Sequence, residues 1–179
     1  MHDVCTIRPV TQVDLDMILR WRNHPSVRSF MLTQHEISPD EHARWFASAC
    51  MDSHQHLLIV EDTTIPIGYV QFKNVKINGV SEWGFYTSPD APKGSGRKLG
   101  KAALSYAFEM LKLHKVVGQA LEFNLASMKF HEHLGFKHEG LLREHYLSEG
   151  RYHSLVCYGL LRREWELSPC NTEKTDDQN

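Results

Sequence analysis

The hydrophobic period of this chain changes midway, and that change limits the fold more than any other feature. From 57 to 87 the pattern is that of strands, two of them alternating with a period of two. Residues 57–61 read as a strand, 67–74 alternates through Gly68, Val70 and Phe72, and 81–87 alternates after a turn at Asn78-Gly79. Immediately beyond, Leu99, Ala102, Ala103, Tyr106, Met110 and Leu113 share one stripe of a helix over 98–114. An antiparallel meander that feeds a long amphipathic helix must bury that stripe against one face of its sheet.

The flanks extend the pattern. Residues 4–9 read as a strand. Leu15, Ile18, Leu19 and Trp21 recur at helical spacing until the breaker Asn23-His24-Pro25. Ser38 as cap, Pro39 at the first helical position and Glu41 three residues on open a second helix. After the long helix come a strand over 116–123, a short helix over 126–134 closed by Gly135, and strands over 136–142 and 151–161. The order β-α-α-β-β-β-α-β-α-β-β predicts a mixed sheet, antiparallel in its meander, with helices on its faces, of the α/β or α+β kind. We expect one domain over 1–167 and a disordered polar tail over 168–179.

Charge and cysteine usage exclude several classes. Lys plus Arg number 20 against 22 Asp plus Glu, a net charge of -2. That leaves no basic field for nucleic acid and no polybasic membrane patch. No apolar run approaches the roughly 20 residues of a membrane span, and the N-terminus lacks the pattern of a secretory signal. Cys5, Cys50, Cys157 and Cys170 are scattered, which predicts a cytoplasmic protein without disulfides. His131, His133 and His138 lie close together but lack the i, i+4 pairing of a helical zinc motif, so no metal is expected.

Lys93-Gly94-Ser95-Gly96-Arg97-Lys98-Leu99-Gly100-Lys101 lies between a strand and the long helix. Such a loop can converge backbone N–H groups and a helix N-terminus on a pyrophosphate, or it can be a solvated glycine-rich turn. It is neither a Rossmann fingerprint nor a Walker loop. The segment from Ser95 to Gly100, together with Asn124-Leu-Ala-Ser127-Met-Lys-Phe130-His131-Glu132-His133-Leu134-Gly135-Phe136, resembles the signatures of the GNAT superfamily of N-acetyltransferases. Ser95 stands where Gln or Arg is usual, Lys98 where the first glycine is usual, and His131 where tyrosine is usual.

The resemblance implies a sheet splayed between its fourth and fifth strands, with acetyl-CoA as cosubstrate in the gap. Pantetheine would pair with the strand carrying Phe85, Tyr86 and Thr87, and reach Asn124. Pyrophosphate would sit on Gly96, Arg97, Lys98, Leu99, Gly100 and Lys101, with Lys129 toward the nucleotide. His131 would be an acid of raised pKa, orient the sulfur, or point away. Glu82 or Glu122 would be the base, and strand parity decides which faces the cleft. His42 is a further candidate for that role.

The first third, from Leu19-Arg20-Trp21-Arg22-Asn23-His24-Pro25 to Trp45-Phe46, resembles the acetyltransferases of pseudaminic acid biosynthesis. These acetylate the 4-amino group of a UDP-linked 4-amino-4,6-dideoxy-N-acetyl-altrosamine, whose product serves flagellin glycosylation. On that resemblance Arg22 and Arg28 would meet the diphosphate. Met31, His42, Trp45 and Trp83 would line the sugar-nucleotide site, and Gln119 would read a hydroxyl. A protein N-terminal acetyltransferase of the ribosomal-protein type and a non-catalytic acetyl-CoA-binding module are the alternatives. The exposed edges of the meander leave a homodimer open.

Overall fold

The computed structural model describes residues 5–168. β1 (Cys5–Pro9) leads through a tight turn at Gln12–Asp14 into α1 (Leu15–Asn23), α2 (Pro25–Arg28) and α3 (Pro39–Met51). β2 (His56–Asp62), β3 (Ile65–Lys73) and β4 (Val80–Thr87) form the meander, and α4 (Ser95–Ser105) follows. β5 (Lys115–Leu121), α5 (Leu125–His133), β6 (Lys137–Ser148), β7 (Arg151–Leu161) and α6 (Arg162–Glu166) complete the order. Among these residues no helix is long and apolar enough to cross a membrane. Of the tail expected over 168–179, all but Ser168 lies outside the described residues.

Local chemistry accounts for the element ends. The Glu41 N–H donates to Ser38 Oγ at 3.2 Å, the expected cap of α3. His24 Nδ1 accepts from the Ser26 N–H at 3.3 Å, so the break before Pro25 is also the start of α2. Arg8 clips the first helix to the sheet, bonding both Asp14 oxygens at 2.8 and 2.9 Å and Glu61 at 2.8 Å. The guanidinium holds the Asp14 carboxyl at about 2.

Three elements differ from the reading above. The long helix begins at Ser95, and its regular part ends at Ser105 in a wide turn over Tyr106–Met110. The extra residue in that turn keeps Ala107 and Phe108 buried while the chain reverses at Lys112, where φ is 54°. β6 continues to Ser148 because it follows β7 through two register shifts. α6 was not anticipated. Glu164 accepts the Leu161 N–H at 3.0 Å and Trp165 is buried in the main core.

The strands run β1-β2-β3-β4-β5-β7-β6, and every neighbouring pair is antiparallel except β4 and β5. Alternation divides the core in two. Leu57, Ile59 and Tyr69 pack with Ile18, Trp21 and Ala49 of α1 and α3 on one face. Leu58, Val60, Val70 and Phe72 pack with Leu99, Ala103 and Leu104 of α4 on the other. β4 pairs with β5 only at Val80–Lys115, Ser81–Val116 and Glu82–Val117. Beyond that point β4 stays with β3 and β5 stays with β7, so the sheet opens between them.

Candidate active site

The opening is a cleft of about 690 Å³. Side-chain parity shows that it passes through the sheet. Trp83 and Phe85 point toward α5, where Phe85 lies 4.5 Å and Trp83 6.0 Å from the Phe130 ring. Tyr86 points the other way and stacks on Tyr69 at 5.1 Å. Glu82 and Gly84 share the side of Tyr86. Residues of both parities line the cleft, so it is a window with one mouth on each face.

On the α5 side the cleft is bounded by Thr87, Gly96, Asn124, Ser127, Phe130 and His131. Among the described residues, no strand lies beside the edge of Trp83–Thr87 that turns away from β3, so its N–H and C=O groups can pair with an extended ligand. Asn124 Oδ1 caps α5 by accepting the Ser127 N–H at 3.0 Å, which leaves its Nδ2 hydrogens for a ligand. Leu99 is fully buried and Gly100 is packed against Leu134 and Phe130, so both offer only backbone. Lys98 Nζ bonds Asp62 at 2.7 Å, which draws its charge toward the end of β2. Lys129 is exposed and lies outside the cleft lining.

His131 departs from the role of an acid. It is 1% exposed and its ring stacks on Tyr158 at 4.8 Å. Nδ1 lies 2.8 Å from the Ser127 carbonyl, and Nε2 lies 3.2 Å from Trp83 Nε1. A carbonyl only accepts and an indole N–H only donates, so Nδ1 carries the proton and Nε2 accepts. Burial pushes the pKa down to about 4, opposite to the rise that the first of the three readings requires. His131 is therefore neutral near pH 7, and its single proton is already held by Ser127.

That burial ties stability to pH. The ordinary value is 6.5, so between 6.5 and about 4 the unfolded chain binds a proton that the folded chain refuses. The contribution is fully present above 6.5 and is lost as the pH falls through that window, roughly 3 kcal/mol in all. Urea unfolding from pH 7 to pH 4.5 should show a steeper loss for the wild type than for His131→Gln. Equal slopes would mean that His131 is not held neutral.

The opposite mouth is walled by Val27, Phe30, Met31 and Leu32 from the α2 segment and by Leu121 and Leu155. Tyr146 Oη donates to the Leu32 carbonyl and Ser148 Oγ to Gln34 Oε1, so the end of the β6–β7 hairpin ties down the segment after α2. Glu82 stands on this side, exposed, at the last rung before β4 and β5 part. Glu122 is engaged elsewhere, accepting the Ser154 N–H at 3.0 Å. Met31 and Gln119 line the cleft as expected of their positions.

Five other residues do not stand where the ligand reading put them. Arg22 lies behind Tyr86. Its Nη2 donates to the Thr33 carbonyl at 2.6 Å, and its Nη1 is buried with no partner among the described residues. Arg28 faces Glu36 at 3.7 Å. His42 is buried under Trp45 at 5.0 Å, and burial together with the Arg22 charge lowers its pKa. Trp45 itself packs edge-on to Tyr69. None of these four lines the cleft. Trp83 does, but on the α5 side, stacked with Phe136 at 5.0 Å inside the main core. Of the apolar wall, sequence reasoning finds only Met31; it misses the rest, and Glu139 and Gly118 as well. Only Gly118, a glycine inside an apolar strand, carried a signal of close approach.

Residues 5–137 match the sequence profile of the acetyltransferase (GNAT) domain. The chain belongs to the GNAT family. It is an acetyl-CoA-dependent N-acetyltransferase. The acetyltransferase PseH of Campylobacter jejuni is 33% identical over 120 residues, 66% of this chain and 74% of that protein. The spermidine N(1)-acetyltransferase of Vibrio cholerae is 28% identical over 168 residues, 92% of this chain and 97% of that protein. Among solved GNAT structures, the Vibrio cholerae spermidine N-acetyltransferase with CoA and spermine matches with a TM-score of 0.82 at 27% identity. That match covers 90% of this chain and 98% of that one.

Proposed function

We propose that this enzyme acetylates the 4-amino group of a UDP-linked 4-amino-4,6-dideoxy-N-acetyl-altrosamine, as a step in pseudaminic acid biosynthesis. The observation that carries the reading is the acceptor wall. Val27, Phe30, Met31, Leu32, Leu121 and Leu155 suit a deoxysugar methyl group and a uracil face. A polyamine would need several free carboxylates. The cleft has two, Glu82 and Glu139, and Glu139 is paired with Lys115. Similarity to PseH supports the same substrate.

Acetyl-CoA supplies the thioester from the α5 side. The open edge of Trp83–Thr87 and the Asn124 amide hold its pantetheine arm. Gly96 and the first turn of α4 take the pyrophosphate, with Arg97 in that turn and Lys101 one turn further on. Glu82 removes one proton from the acceptor ammonium, directly or through a water. The nitrogen's second proton leaves with the thiol, since His131 has none to give. His131 instead holds the Trp83 indole as part of the channel wall.

The decisive assay follows thiol release from acetyl-CoA with the UDP-aminosugar, spermidine and a peptide with a free N-terminus in parallel. Release with the sugar nucleotide alone is expected. Release with spermidine or the peptide alone would overturn this reading.

A further inference from the structure

The acceptor side of the cleft holds a second carboxylate. Glu139 is the extra residue of a bulge, between His138, which pairs with Tyr158, and Gly140, which pairs with Cys157. From there its side chain crosses β7 instead of running beside it. The crossing requires Gly159: a Cβ at that position would fall 2.5 Å from the Glu139 Cδ and Oε1 and 2.6 Å from Oε2. Lys115 Nζ receives the carboxylate at the far side, with both oxygens bonded at 2.6 and 2.8 Å.

The rungs place this group opposite the base. Glu82 pairs with Val117, and Val117 pairs with Gly159, so the three form one line across β4, β5 and β7. Paired residues point to the same face. Glu82 and Glu139 therefore stand on the acceptor side at the two ends of that line, and both line the cleft. Two strand spacings are about 10 Å. That is the spacing of the backbones; a vicinal amino alcohol, whose N and O lie about 3 Å apart, reaches about 8.5 Å with a hydrogen bond of about 2.8 Å at each end, and so bridges the two carboxylates when Glu82 leans over Val117. Lys115 neutralises Glu139 without using all of its lone pairs, so the pair can accept a hydroxyl hydrogen without presenting a net charge.

We infer that Glu139, held by Lys115 across Gly159, is a specificity residue that accepts a hydrogen bond from the hydroxyl adjacent to the reacting amine. The inference rests on the aminosugar reading and names which group of the sugar is read. It separates the labour at the acceptor: Glu82 takes the proton, and Glu139 fixes which amine is in place.

The test compares wild type, Glu139→Ala, which removes the acceptor, and Gly159→Ala, which displaces it, with the UDP-aminosugar and with its analogue lacking the hydroxyl next to the amine. In the wild type the analogue should raise the acceptor KM by about tenfold, the usual cost of losing a hydrogen bond to a charged group. Both variants should raise the KM of the hydroxylated acceptor by a similar factor, leave the acetyl-CoA KM unchanged, and no longer distinguish the two acceptors. A purely structural role would shift the KM of both cosubstrates and preserve the discrimination. Variants that still prefer the hydroxylated acceptor as strongly as the wild type would overturn the inference. Wild-type silence with the aminosugar, alongside turnover of spermidine, would instead overturn the substrate reading and this inference with it, because spermidine has no hydroxyl.

Discussion

Replacing Glu82 with glutamine lowers kcat by about 10²- to 10⁴-fold, the range expected when a general base is lost. The effect follows from position. Glu82 is the last β4 residue paired with β5, and its parity turns it toward the acceptor mouth. Glutamine preserves the shape and the rung but cannot take a proton from an ammonium. The acetyl-CoA KM stays near the wild-type value, because the proposed donor site uses the opposite parity of the same strand. Raising the pH restores part of the lost rate by supplying neutral amine from solution. If Glu82→Gln retained more than about a tenth of kcat, the base would have to be sought elsewhere.

The second large effect concerns stability. Gly118→Val is expected to lower the unfolding free energy by roughly 4 kcal/mol, from overpacking and from orphaned polar groups. A Cβ at Gly118 would fall 2.5 Å from His131 Nε2 and 2.6 Å from Trp83 Nε1. The hydrogen bond between those buried rings passes directly beside the β5 backbone, and only a residue without a side chain allows it. Valine would separate the two rings and leave a buried donor and a buried acceptor without partners. Urea unfolding at pH 7.5 reads the loss, and a midpoint within error of the wild type would show that the ring pair adapts. Leu121→Val, on the other face of the same strand, is the comparison with a much smaller expected effect.

The order of the elements was legible in the sequence, because alternation and helical spacing are local properties. The wide turn after Ser105 and the length of β6 were not. Each depends on partners distant in the chain: the core that retains Ala107 and Phe108, and the β7 edge that β6 follows. The window between β4 and β5 came only from the resemblance, since nothing in the period of either strand says where pairing stops. Strand parity decided most of the site. It set Trp83 on the α5 side and Glu82 on the acceptor side, a choice that needs the direction of at least one neighbouring ring. Arg22, His42 and Trp45 have the right chemistry for a sugar nucleotide, yet α1 and α3 turn them under Tyr69 and Tyr86. Glu139 was invisible because a bulge redirects it, and bulges leave little trace in composition.

The opening through the sheet also bears on how such enzymes diversify. The sheet is a partition with a window, and the two sides are built from different parts of the chain. The α2 segment and the β6–β7 hairpin shape one side; α4 and α5 shape the other. With acceptor and donor entering as proposed, substitutions on the first side change what is acetylated while the delivery of the acetyl group stays untouched. A lineage can therefore explore new acceptors without rebuilding its donor site, which is consistent with relatives as unlike in name as PseH and a spermidine N(1)-acetyltransferase.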